Sequence, residues 1–286
     1  MSAHGDPAPD DLAPGDAFGH YRIEGHLGRG GMGDVYRAAT DQRSGPIALK
    51  VLRRDLIADQ EYRRRFLHEA RAATTVTHPH LVPILEAGET DGVPFLAMPL
   101  VEGRSLDRVI SENGPLVPKQ VVRVAEEIGS ALDTLHAAGL MHRDIKPANL
   151  IMGSDGATSL TDFGLAKGTS GYQTLTAVGV LVGTLAYVSP ERIRGERATP
   201  ASDVYSLGCT LFECLVGVSP FHAPSQMTVM MGILQEEAPN PAWQRSELSE
   251  NFGAVVISAL AKDPAARPAS GAAYAEALKR ALPSAP

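Results

Sequence analysis

The chain has 286 residues, 44% hydrophobic and 21% charged, a globular composition long enough for one large domain or two lobes with a substantial core. Lysine and arginine number 26 against 33 aspartates and glutamates, a net charge of -7 that argues against a duplex-binding surface, which needs a concentrated basic face. No apolar stretch approaches the ~18 residues of a membrane span, and no basic region followed by an apolar core opens the chain. The expectation is a cytoplasmic segment that touches neither nucleic acid nor membrane.

Residues 1–17, "MSAHGDPAPDDLAPGDA", are rich in Pro, Ala and Asp without Lys or Arg, and read as a flexible acidic tail. From Phe18 the pattern turns to strands: "YRIEGHLG", "DVYRAAT" and "PIALKVL" are short, alternating or apolar, and broken by turn residues. A helix is predicted around Glu61–Thr75, where Arg63, Arg64 and Arg65 read as a solvated face. Two further strands, "LVPILEAGE" and "VPFLAMPLV", complete a small, mainly antiparallel sheet with one helix.

The character changes after "VEGRSL". Ser105 can cap a short helix, and "PKQVVRVAEEIGSALDTLHAAG" is a long amphipathic one with Gly139 as its C-terminal cap. "LMHRDIKPANLIM" follows, then a hairpin turning at "GSDG". A helix from Ser202 to about Gly217 and others near 225–236, 249–262 and 270–281 fill the rest. Cys209 and Cys214, five apart in a helical pattern, differ by about 140° around the axis, so neither a disulfide nor a metal site is indicated. There is no internal repeat. The layout is α+β, a β-rich lobe followed by a larger helical one.

Three stretches carry chemistry. "LGRGGMGDVYRA" holds Gly28, Gly30 and Gly33 in a G-x-G-x-x-G pattern, which alone fits a dinucleotide fold, a phosphate-cradling hairpin or a plain loop. Because "DVYRAAT" continues as a strand and not as a helix, the loop is a strand–turn–strand hairpin whose glycines would let backbone N–H groups approach phosphate. Lys50 sits amid apolar residues in "IALKVL", a costly place for an unpaired ammonium. Glu69 shares a helix face with Tyr62, Phe66 and Ala73, so Lys50 and Glu69 make an ion pair, with the ammonium facing phosphate or the pairing purely structural. In "HRDIKPAN", Asp144, Lys146 and Asn149 lie together, and thirteen residues after Asn149 comes Asp162 of "TDFG" across the hairpin. Asn149 and Asp162 make a reasonable magnesium pair, Asp144 a proton acceptor and Lys146 a charge-neutralising group.

Together these segments resemble the eukaryotic-type protein kinases, specifically the bacterial Ser/Thr kinases of actinobacterial receptor type. The likeness runs from about Tyr21 to Leu282, with the glycine loop, "IALK", Glu69 nineteen residues on, "HRDIKPAN", "DFG" and "SPE" at Ser189–Glu191 in order. It implies a bilobal protein kinase fold: tail 1–17, N-lobe 18–98, hinge 99–103, C-lobe 104–282, and a tail or linker start at 283–286. It implies ATP with Mg2+ or Mn2+, and protein Ser/Thr hydroxyls as substrate. Asp144 would be the catalytic base, Lys146 would contact the γ-phosphate, Asn149 and Asp162 would hold metal, and Lys50, paired with Glu69, would bind the α/β-phosphates. Leu27, Gly28, Gly30, Gly31 and Gly33 would belong to the nucleotide site, with Val35, Ala48 and Ile151 around adenine. Ala73, Leu85, His142 and Phe163 look like the hydrophobic spine linking the lobes, and Asp203 would brace the catalytic loop.

Two departures stand out. Pro99 lies in the hinge "MPLVEG" after Met98, which resembles the residue gating the pocket behind adenine; the Pro99 carbonyl can accept from adenine and the Val101 N–H can donate. Leu185 lies in the stretch facing substrate. By the same likeness, Glu191 pairs with Arg267, and Arg143 would pair with phosphate on autophosphorylated Thr176 or Thr174, with Thr169 and Ser170 weaker candidates. Thr184 would stay unmodified. A pseudokinase acting as a nucleotide-binding scaffold is the alternative, disfavoured because Lys50, Asp144 and Asp162 are all present; a small-molecule phosphotransferase would not need "SPE". A homodimer through the small lobe is an expectation by analogy alone, and the sequence leaves open whether the native chain continues into a membrane span.

Overall fold

Alternation of apolar and polar residues after Phe18 gives an antiparallel sheet. In the computed structural model, which describes residues 12–30, 33–53, 59–162 and 185–282, the chain divides into two units, Met1–Thr77 with Val82–Val101 and His78–Leu81 with Glu102–Pro286. The first contains β1 (Ala17–Phe18), β2 (Tyr21–Gly30), β3 (Gly33–Thr40), β4 (Arg43–Leu52), α1 (Gln60–Ala73), β5 (Glu86–Thr90) and β6 (Val93–Pro99). The strands pair in the order β1-β2-β3-β4-β6-β5, every neighbour antiparallel. One face buries Ile23, Tyr36, Ala38, Ile47, Leu49 and Val51, and the rings of Phe18 and Tyr21 meet Phe95 edge-on, each at 5.7 Å. Val35, Ala48 and Lys50, on the opposite face, are only partly buried.

Helix α1 begins just before the expected Glu61, because the Asp59 carboxylate accepts from the N–H groups of Glu61 and Tyr62. It buries Phe66, Ala70 and Ala73 and rests on β5 and β6, where Arg63 pairs with Glu89. The stretch "LVPILEAGE" is not one strand. Pro83 has no N–H to give a ladder, and only Glu86–Thr90 joins the sheet. Just upstream, His78–Leu81 belongs to the second unit: the Leu160 N–H donates to the His80 carbonyl at 2.9 Å, and Leu81 bridges to Leu160.

The second unit has a three-stranded sheet of β7 (Arg104–Ser105), β8 (Leu150–Met152) and β9 (Thr158–Leu160). Its helices are α2 (Leu106–Asn113), α3 (Pro118–Ala137), α4 (Pro190–Ile193), α5 (Pro200–Val216), α6 (Gln226–Gln235), α7 (Glu250–Ser258) and α8 (Gly271–Ala281). Helix α5 is apolar nearly all round and correspondingly buried, against α3 and α7. Ser202 does not start it: Thr199 is the N-cap with Pro200 at the first helical position, and Ser202 bonds back to the Thr199 N–H at 3.1 Å. Gly217, at φ 92°, ends it. Cys209 and Cys214 are free and buried, and burial pushes both thiols up, which makes them inert core residues.

Candidate active site

The segment after α3 is fixed from below by one buried acid. Asp203, in the first turn of α5 and 1% exposed, accepts from the His142 N–H at 2.8 Å and the Arg143 N–H at 2.9 Å, and meets His136 Nε2 at 2.9 Å. Burial alone would raise its pKa, but the bond to His136 and the nearby imidazoles outweigh burial and hold the carboxyl below its ordinary value. The brace is needed because Arg143 takes φ 65°, a left-handed conformation costing a non-glycine residue about 1–3 kcal/mol. His142 is fully buried; burial lowers its pKa despite neighbouring carboxylates, and its Nε2 meets the Thr161 carbonyl at 3.1 Å.

Asp144 is presented next. Its Oδ2 lies 3.2 Å from Lys146 Nζ and 3.0 Å from Asn149 Nδ2, and Asn149 also donates to the Asp144 carbonyl at 2.7 Å. Asn149 is buried in a 3-10 turn, Pro147–Asn149, leading straight into β8. The Thr161 N–H donates to the Asn149 carbonyl at 2.9 Å, so the β8–β9 hairpin returns the chain to Asn149 one residue before Asp162. Asp162, at φ 58°, is a second strained residue. Asn149 spends its amide donors on Asp144, and among the described residues its Oδ1 accepts no hydrogen bond. A buried amide oxygen beside a carboxylate is a donor set of the hard kind that suits magnesium. Ile151, on β8, is partly buried and pairs with Ser105 and Ser159.

The first unit holds the other candidates. Register sets Val35 opposite Lys50 and Lys50 opposite Leu96, with Ala48 opposite Met98, so Val35, Ala48, Lys50 and Met98 share one face. Lys50 is half-buried on that face, not sunk in the apolar one. Glu69 is partly buried on α1 in the same unit. Pro99 ends β6, where its missing N–H costs little, while Leu27 and Val101 are exposed.

The glycines separate by cause. A Cβ on Gly33 would overlap the Val51 carbonyl, so the sheet itself demands glycine there. A Cβ on Gly28 would meet nothing, and one on Gly30 only ordinary contact at 3.5 Å, with no positive φ at either. Among the described residues, nothing crowds the backbone at Gly28 or Gly30. Gly31, Phe163, Thr169, Ser170, Thr174, Thr176 and Thr184 lie outside the described residues.

Further along, Arg267 binds Glu191 through two bonds of 2.9 and 2.8 Å, with Ser202 Oγ donating to the same carboxylate at 2.7 Å. Burial opposes ionisation, but the Arg267 and Ser202 bonds prevail and hold Glu191 at about 2. Sequence reasoning missed three contacts. His136 completes the Asp203 brace across 67 positions, with no local signal. Tyr187 donates to Glu213 at 2.6 Å beside a groove of about 530 Å3 that Leu185, Val218, His222 and Val229 also line. Asp34, an acid at a buried strand position, is held by Arg29 and His26 across a shifted register, again with no local signal.

The chain is similar to known proteins over most of its length. Residues 21–280 match the protein kinase domain family. The chain is 41% identical over 272 residues to serine/threonine-protein kinase PknH of Mycobacterium bovis, covering 95% of this chain and 46% of that protein. It is 40% identical over 250 residues to PknE of Mycobacterium tuberculosis, covering 87% and 44%. The crystal structure of the M. tuberculosis PknI kinase domain superposes with a TM-score of 0.78 at 30% identity, over 95% of this chain and 100% of that one. The chain belongs to the protein kinase domain family, and its fold, a curled antiparallel sheet unit and a helical unit, is the family's. It spans less than half the length of the PknH and PknE relatives.

Proposed function

We propose that this chain is an ATP-dependent protein serine/threonine kinase, and the observation that carries the reading is the Asp144–Lys146–Asn149 cluster on a loop pinned by Asp203. Phosphoryl transfer is mostly positioning and charge neutralisation, and this cluster supplies both. Asp144 takes the proton of a substrate Ser or Thr hydroxyl as its oxygen bonds to the γ-phosphorus and the bond to the β-phosphate oxygen breaks, releasing ADP. Lys146 neutralises charge on the transferred group. Asn149 and Asp162 would hold magnesium, which supplies charge neutralisation to the phosphates when bound.

Lys50, kept in place by Glu69, would meet the α/β-phosphates, and Gly28, Gly30 and Gly31 would bring backbone N–H groups to them. Val35, Ala48, Met98 and Ile151 would enclose adenine, with Pro99 and Val101 giving it backbone hydrogen bonds. The groove beside Tyr187 and Leu185 would take the protein substrate. A homodimer through the first unit is a further proposal by analogy, tested by sedimentation. Among the described residues no helix is long and apolar enough to cross a membrane.

Regulation by autophosphorylation at Thr176 and Thr174 would add charge-assisted bonds to Arg143. Intact mass of dephosphorylated protein, with and without Mg-ATP, tests both. Added phosphate mapping to Thr174 or Thr176, with reduced activity in the double alanine variant, supports the reading. Unchanged activity in that variant removes the regulatory part, and no transfer to itself or to a generic basic protein removes the kinase part.

A further inference from the structure

The β2–β3 hairpin carries a charged cluster for which the nucleotide reading has no use. Asp34 follows Gly33 directly, and its side chain is 3% exposed. Its Oδ1 accepts from Arg29 Nε at 2.7 Å and meets His26 Nε2 at 2.8 Å. Arg29 is the cross-strand register partner of Asp34, and His26 is the partner of Tyr36, whose ring it meets edge-on at 5.4 Å. Side chains alternate along β3, so Asp34 shares the core face with Tyr36 and Ala38 and points away from the face of Val35 and Lys50.

The need for such a cluster is legible in β2. Its register shifts twice, between Ile23 and Gly25 and between His26 and Gly28. Glycine-rich strands specify register weakly, because few side chains punish a slip. His26 lies on one side of the second shift and Arg29 on the other, and both reach the same carboxylate oxygen. Burial alone would favour the neutral acid, yet the Arg29 and His26 bonds keep the Asp34 carboxyl below its ordinary value, so it is ionised and the bonds are charge-assisted.

We propose that Asp34 is a positioning residue for the nucleotide: it clamps the hairpin across its bulge, on the face away from the ligand, and so fixes the glycine-flanked backbone in the arrangement that meets phosphate. This rests on the hairpin being the phosphate-binding loop. A clamp that pre-organises a binding backbone shows in affinity for nucleotide and not in the transfer step.

The test is steady-state kinetics of Asp34→Ala and of Arg29→Gln, the latter changing a side chain 63% exposed and so the safer for folding. Each should raise KM for ATP on the order of five- to tenfold, with kcat at saturating ATP within about twofold. The double variant should be no worse than the worse single one, because both break one clamp. A fall in kcat that tracks loss of folded protein, or strict additivity, overturns the proposal in favour of a merely structural role. Gly28→Val separates the two ways to fail: a raised KM there with none in the clamp variants rejects the clamp alone, whereas an unchanged KM in all three rejects the hairpin as the phosphate site and the clamp with it.

Discussion

Replacing Arg267 by alanine should cost the chain a large part of its stability. The guanidinium is fully buried, and besides Glu191 it donates to the carbonyls of Ala201 at 2.8 Å, Ala261 at 2.8 Å and Lys262 at 3.3 Å, with its carbon 4.9 Å from the Tyr205 ring centre. Glu191 is 3% exposed, so removal of Arg267 leaves a carboxylate in the interior with Ser202 and the Glu191 backbone N–H as its donors among the described residues. Breaking a buried pair on one side costs about 3–5 kcal/mol, chiefly through the stranded charge, against a total stability of about 5–15 kcal/mol. Urea unfolding of Arg267→Ala, of Glu191→Gln and of the double variant carrying both measures it. The double variant should be less destabilised than the sum of its single changes by about 2 kcal/mol or more, because it strands no charge. A cost below about 1 kcal/mol for Arg267→Ala, or additivity within about 0.5 kcal/mol, would refute the reasoning.

Acid should reveal the same pair. Glu191 binds its proton near 4.5 when unfolded and at about 2 when folded, so its contribution is complete above 4.5 and is lost as pH falls from 4.5 through about 2. That contribution is about 3 kcal/mol, and the urea midpoint of Glu191→Gln should fall less steeply over this window than that of the unaltered chain. The glycines should split by role: Gly33→Ala should destabilise by about 1–3 kcal/mol through overlap with Val51, whereas Gly28→Ala should stay within about 0.5 kcal/mol and weaken ATP binding, as calorimetry of both would show. Asp203→Asn should lower kcat on the order of 100-fold at near-constant KM, since it loosens the loop carrying Asp144; an unchanged kcat would mean the brace is dispensable.

What the sequence made legible was what local pattern decides. Asp144, Lys146 and Asn149 fall within one short segment, and helix ends came within a few residues because caps are local. Ser202 misled because any serine before an apolar run resembles a cap, while the backbone at Thr199 and the rigid Pro200 decided the start. Pro83 should have ended the strand reading of "LVPILEAGE", as a donor lost in mid-strand argues against a ladder. The His136–Asp203 contact spans 67 positions and the Asp34 clamp depends on a shifted register; neither has a one-dimensional signature. Gly33 looked like its neighbours in sequence, and only the approach of Val51 sets it apart.

The most direct measurement is phosphate transfer from Mg-ATP to a protein substrate by the unaltered chain and by Asp144→Asn, with ATP affinity measured in parallel. Transfer by the unaltered chain, lowered by about 100-fold or more in the variant at preserved ATP affinity, is the predicted result. A variant within about threefold of the unaltered rate, or an unaltered chain that binds ATP and transfers nothing, would contradict it.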